Sequence, residues 1–135
     1  MKRLDVEYLK KIFRYEPEYG LLFWISGRQR GKRAGTVRKE DGYYVVLHQC
    51  KKYYVHRIAW ALYYGVWPLE GLDHVDGNPS NNKINNLRVA SSAQNHWNMK
   101  KFKNNTSGYR GVHFHKQTGK WCADIWHHRK KIFLG

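Results

Sequence analysis

Residues 71–86 read GLDHVDGNPSNNKINN, which sets a carboxylate, Asp73, beside an imidazole, His74, and follows them with five asparagines. Asp73 offers a hard oxygen ligand and His74 accepts a proton near neutral pH, the two groups needed to cleave a phosphodiester with one divalent cation. Asparagines alone are turn formers that satisfy their own backbone, and a loop rich in them needs no chemistry. The flanking pattern argues for more. Leu72–His74 reads as a strand, Asn86-Leu87-Arg88-Val89-Ala90 as a second strand returning beside it, and Ser91 or Ser92 as the cap of a helix carrying Asn95. Strand, loop, strand and helix would bring Asp73, His74, Asn86 and Asn95 together. A calcium loop of the EF-hand kind is excluded: with Gly77 as its sixth residue the loop would begin at Leu72, and its twelfth would be Lys83 rather than glutamate.

Several elements must position this stretch. Leu4, Tyr8, Leu9, Ile12 and Phe13 recur at helical spacing, with Asp5 as an N-cap and Glu7 in the first turn, and predict a short amphipathic helix. A turn at Glu16-Pro17-Glu18 and a strand over Leu21–Ile25 follow. Ser26–Lys39 holds six basic residues and no acid, and reads as a solvated basic loop. The segments YYVVLHQC and KKYYV predict a hairpin. Val55, Ile58, Ala61 and Leu62 then fall on one face of a helix over Val55–Tyr64, stopped by Gly65 and Pro68. His56 near its start is expected to be a packed or capping group, and Arg57 a phosphate contact. From Lys100 onward nine basic residues meet one acid, Asp124, and KNNTSG reads as a hinge. Beyond it YRGVHFH, KWCADIW and KKIFLG predict three antiparallel strands.

Charge narrows the partner. Twenty-five Lys and Arg against ten Asp and Glu give +15, interleaved with six Trp and ten Tyr, a surface that seeks polyanions. Nucleic acid fits better than an anionic membrane, which would call for a basic amphipathic helix that the sequence does not offer. No apolar run approaches the roughly 18 residues of a spanning helix, and MKRLDVEYLKK lacks the apolar segment of a signal peptide. A cytoplasmic protein is expected. Cys50 and Cys122 are too far apart for a C-x-x-C zinc pair and too few for a disulfide framework.

DHVDGN, NNLRVA and the QN of SSAQNHWN resemble the HNH homing endonucleases, in the variant whose third motif residue is Asn. VHRIAW and the spacer Gly65-Val66-Trp67-Pro68 resemble the lead-in of the phage and intron-encoded branch, so the likeness spans residues 43–99. The resemblance implies a ββα-metal (His-Me finger) core in which His74 is the general base, Asp73 and Asn95 hold a single cation, and Asn86 orients the histidine. A carboxylate and an amide carbonyl leave coordination positions for water and phosphate oxygens, which suits Mg²⁺ or Mn²⁺, one per site, better than zinc. His48, His113, His115, His127 and His128 lack a converging carboxylate in sequence and are given no catalytic role.

NNTSGYRGVHFH, KWCADIW and KKIFLG, residues 104–135, resemble the first three strands of the ethylene-response-factor (Apetala-type) DNA-binding domain, without that family's terminal helix and with Trp126 where the family has arginine. The likeness implies a sheet laid in the major groove, with Arg110, His113, His115, Trp126 and Lys131 touching DNA. Arg110 would read a guanine with its fork. Lys116, Lys120, Arg129 and Lys130 would contact phosphates. The plainer alternative is a basic β-extension packed on the nuclease core.

The expected architecture is α+β in three parts: an N-terminal helix and hairpin (1–54), a ββα-metal core (55–103) and a three-stranded antiparallel sheet (104–135). The expected activity is divalent-metal-dependent cleavage of double-stranded DNA, by a monomer or a homodimer. The rivals are a non-catalytic, sequence-specific DNA-binding regulator and, behind it, an RNA-binding protein.

Overall fold

The helical spacing near the N-terminus produces α1 (Val6–Ile12), which buries Leu9 and Ile12. In the computed structural model, residues 4–91, 94, 104–127 and 130–135 are described. Phe13, expected on the same apolar stripe, instead opens a strand, β1 (Phe13–Glu16), that pairs antiparallel with β2 (Leu21–Trp24). The register sets Phe13 opposite Trp24, with ring centroids 4.5 Å apart. An aromatic cross-strand pair outweighs the continuation of a seven-residue helix.

Ser26–Lys39 is more ordered than its charge suggested. It contains a 3₁₀ turn (Gly27–Gln29), a bridge from Arg33 to Phe23, and β3 (Thr36–Val37), and it buries Ala34. Two of its six cations are engaged: the Arg33 guanidinium lies over the Tyr44 ring at 4.6 Å, and Arg38 bonds both Asp41 and the Tyr54 hydroxyl. Small side chains let the backbone join the sheet edge while aromatic faces take the guanidiniums.

β3 joins the predicted hairpin, β4 (Tyr44–His48) and β5 (Lys51–Tyr54), in an antiparallel sheet of order β3-β4-β5. Helix α2 (Val55–Tyr64) follows β5 directly and spans the predicted residues. It packs on α1, β1, β4 and β5, and Leu9, Ile12, Phe13, Leu22, Val46, Val55 and Ile58 belong to one cluster. Segments on both sides of the division expected after residue 54 thus share a core. After the spacer, β6 (Gly71–His74) pairs antiparallel with β7 (Leu87–Ala90), as the sequence predicted; Asn86, expected to start that strand, instead closes a 3₁₀ turn before it.

Two compact units divide the chain, Met1–Met99 and Lys100–Gly135. The second is a meander of β8 (Val112–His115), β9 (Lys120–His127) and β10 (Lys130–Phe133), in the order β10-β9-β8. Register places Val112, Phe114, Trp121, Ala123, Ile125 and Ile132 on one face, and His113, His115, Lys120, Cys122, Asp124, Lys131 and Phe133 on the other. The expected hinge is a hydrogen-bonded turn over its later residues: Asn105 Nδ2 donates to the Tyr109 carbonyl at 2.9 Å and Ser107 Oγ to the Val112 carbonyl at 2.8 Å.

Candidate active site

His74 ends β6 at 3% exposure, preceded by Asp73 at 6%. Its Nε2–H donates to Asn82 Oδ1 at 3.1 Å, and the amide nitrogen of Asn82 faces the Ser80 carbonyl at 3.5 Å, consistent with that orientation of the amide. An amide oxygen can only accept, so Nε2 carries the proton and the neutral ring keeps its lone pair on Nδ1. The Tyr43 ring at 5.6 Å and the His56 ring at 5.1 Å pack against the imidazole. Burial pushes the His74 pKa below its ordinary value, against the opposing pull of the Asn82 bond and of Asp76 and Asp73. The neutral form therefore prevails at neutral pH. Asp73 stands directly opposite Arg88, whose Nε and Nη2 donate to its Oδ2 at 3.1 and 2.8 Å.

The asparagine-rich loop is organised by Asp76. Its Oδ1 accepts from the Asn78 backbone at 2.8 Å and from Asn86 Nδ2 at 2.9 Å, and its Oδ2 accepts from Asn81 Nδ2 at 2.8 Å. Desolvation raises the Asp76 pKa, yet the bonds from Asn81, Asn78 and Asn86 outweigh it and hold the exposed carboxyl below the usual range. Asn86 also donates to the Asn81 carbonyl at 2.8 Å, accepts at Oδ1 from the Asp76 amide at 3.1 Å, and its carbonyl accepts from the Val75 amide at 2.9 Å. These bonds tie the two ends of the loop together. The bond to the histidine comes from Asn82, whereas Asn86, to which the resemblance gave that role, bonds Asp76 and Asn81. Sequence reasoning treated Asn82 as a loop stabiliser and missed Asp76. The signal was the two-residue rhythm Asp76, Asn78, Ser80, in which side-chain oxygens of Asp76 and Asn78 accept from the backbone two residues on.

The loop is braced from both N-terminal sheets. Tyr15 donates its hydroxyl to the Asn82 carbonyl at 2.7 Å, the Ile84 amide donates to the Pro17 carbonyl at 3.2 Å, and Ser80 Oγ donates to the Gly42 carbonyl at 2.8 Å. Residues far upstream thereby fix the residue that holds His74.

His56, 6% exposed, is the packed group the sequence suggested; its Nδ1 is buried without a hydrogen-bond partner among the described residues. Burial, and then the nearby His74 and Arg57 charges, push its pKa down to about 3. The unfolded chain takes up a proton near pH 6.5 that the folded chain refuses. Stability from this residue is therefore complete above pH 6.5 and is lost toward about pH 3, at about 1.4 kcal/mol per pH unit. Urea unfolding of His56→Leu between those limits should show a shallower loss with acid than the parent; an unchanged slope would mean that His56 does not carry this effect.

The remaining predicted positions are dispersed. Asn95 and Arg129 lie outside the described residues, as does the Trp126 side chain. Arg57 Nη2 donates to the Pro68 carbonyl at 3.3 Å, tying α2 to the spacer. Arg110 sits in the turn before β8 rather than on a strand, and Lys116, Lys120 and Lys130 are exposed. His113 does have a carboxylate partner, contrary to the sequence reading: Asp124, across the sheet, lies 3.4 Å from His113 Nδ1 and 3.0 Å from Lys131 Nζ. The diagonal between β8 and β9 creates that contact, which no spacing along the chain discloses. His115 Nδ1 lies 3.0 Å from Thr118 Oγ1. Among the described residues no group of three or more His, Cys, Asp or Glu gathers to hold a metal, and the hard donor at hand is the buried Asp73 carboxylate.

Residues 53–97 match the HNH endonuclease family model. Over 54 residues the chain is 48% identical to Protein 3.8 of Escherichia phage T7, a stretch that covers 40% of this chain and 45% of that protein. The fold is similar to that of the HNH homing endonuclease I-HmuI, in a structure of its DNA binding and cleavage: the TM-score is 0.52 with 26% identity, over 73% of this chain and 57% of that one. The chain therefore spans about half the length of either relative. α2, the β6–β7 hairpin and its asparagine-rich loop all fall inside the matched segment.

Proposed function

We propose that this chain is a divalent-metal-dependent DNA endonuclease of the HNH type, a phage or mobile-element nuclease or nickase. The observation that carries the reading is His74, buried and neutral with its Nε2–H held by Asn82, next to the buried carboxylate of Asp73 and inside the HNH-matched segment. The I-HmuI likeness supports DNA as the substrate.

Asp73 and, by the family resemblance, Asn95 would hold one Mg²⁺ or Mn²⁺, which when bound neutralises charge at the scissile phosphate. His74 takes the proton of the attacking water at Nδ1. Asn82 occupies Nε2 and so fixes which nitrogen faces the reaction, and the loop pinned by Asp76 and Asn86 keeps the ring from turning. The second unit grips the duplex through the face bearing His113, His115 and Lys131 and through Trp126, with Arg110 reading a base and Lys116, Lys120, Arg129 and Lys130 on phosphates, while Arg57 of the first unit contacts another phosphate. Asp124, on the same face, orders two of those side chains before DNA arrives. One site per chain cuts one strand, so a monomer nicks and a homodimer makes the double cut. The enzyme would act in a host cytoplasm; of the described helices none is long and apolar enough to cross a membrane.

Supercoiled plasmid incubated with the protein and Mg²⁺ should yield relaxed or linear product that disappears in EDTA. A duplex gel shift with no cutting under any divalent cation would overturn the nuclease and leave the DNA-binding regulator; preference for single-stranded RNA would overturn both.

A further inference from the structure

Asp73 already has a cation. The antiparallel register sets Arg88 directly across from it, and two guanidinium N–H groups converge on the single oxygen Oδ2, at 3.1 and 2.8 Å. The environments of the partners differ sharply: the Asp73 side chain is 8% exposed and that of Arg88 47%. The carboxylate is fixed inside, whereas the guanidinium reaches it from a solvent-facing position and has somewhere else to go. Its planar fork matches a phosphate as well as a carboxylate. A divalent cation that approaches Asp73 meets a positive group already bonded to its Oδ2, so metal and arginine compete for the charge of the same carboxylate.

The geometry points to Arg88 as a place-holding cation, which satisfies Asp73 in the DNA-free protein and yields it to the metal when a backbone phosphate of bound duplex offers the guanidinium another partner. This rests on the reading of Asp73 as a metal ligand. Arg88 is then a positioning residue that makes metal and DNA bind cooperatively, and the coupling must be the same in both directions.

Calorimetric titration of the full chain with Mn²⁺ tests this without reading activity. Without DNA, Arg88→Gln should bind Mn²⁺ about fivefold or more tightly than the parent, because the competitor is gone. In a His74→Ala background, which removes the cleavage base, duplex DNA should tighten Mn²⁺ binding by about tenfold with Arg88 present and by less than about twofold with Gln. Arg88→Lys, which keeps the charge but not the fork, should fall between and serves if the Gln variant does not fold. Equal or weaker Mn²⁺ affinity in a folded Arg88→Gln, or equal DNA coupling in both chains, would overturn the inference. Asp73→Asn separates the two failures: Mn²⁺ binding as in the parent removes the metal-ligand reading itself. Lost binding there, with Arg88→Gln indistinguishable from the parent, removes only the role of Arg88.

Discussion

His74→Ala should slow single-turnover plasmid cleavage by about 10²- to 10⁴-fold, the usual worth of a positioned general base, while duplex affinity in a gel shift stays within a few-fold of the parent. The separation follows from where the residue sits. At 3% exposure His74 offers almost no surface to bind DNA, and in the proposed reaction its worth lies in a neutral Nδ1 whose partner nitrogen is committed to Asn82. The substitution also leaves Asn82 Oδ1 without its donor and a void beside Tyr43 and His56, at a cost of about 1–3 kcal/mol. Cleavage is therefore compared well below the melting temperature of the variant. If affinity falls as far as rate, His74 supports the loop and does no proton transfer.

Much of this site was legible because its parts are local. Asp73 and His74 are neighbours, the returning strand lies a dozen residues on, and α2 announces itself by period and by its stop at Gly65 and Pro68. What escaped was set by partners distant in sequence. β1 escaped because Phe13 continues a helical stripe, and only Trp24 across the hairpin shows that it belongs to a strand. β3 was hidden by charge, since nothing in the string of arginines tells that Tyr44 and Tyr54 will lie under them. Asn82 looked like its neighbours Asn81, Asn85 and Asn86; its distinction is the fold's placement of its side chain under the imidazole and of its carbonyl against Tyr15. The pairing of Asp73 with Arg88 was implicit in the strand register and was overlooked because the arginine was read as part of a strand rather than as a charge opposite a carboxylate.

Gly20→Ala should destabilise the chain by about 2–4 kcal/mol and depress cleavage further than the loss of folded protein explains. Gly20 closes the β1–β2 turn at φ +69°, a left-handed conformation that alanine adopts only with strain, and a Cβ there would lie 2.5 Å from the Asn82 carbonyl carbon and collide with the Lys83 amide nitrogen. The colliding atoms are backbone, so no side chain can swing aside. Either the turn opens, losing the bonds from Tyr15 to the Asn82 carbonyl and from Ile84 to Pro17, or the peptide after Asn82 retreats and carries with it the amide that holds His74 Nε2. A displacement near 1 Å in a catalytic group is worth up to about 10²-fold in rate. Gly27→Ala is the matched control: φ is +68°, but a Cβ there meets nothing within 4 Å, so it bears the conformational cost alone. Urea unfolding and single-turnover cleavage of the two variants at matched folded fractions decide the matter. Gly27→Ala should keep its rate and Gly20→Ala should not, and equal rates in both would mean that the N-terminal hairpin supports the fold without setting the position of Asn82.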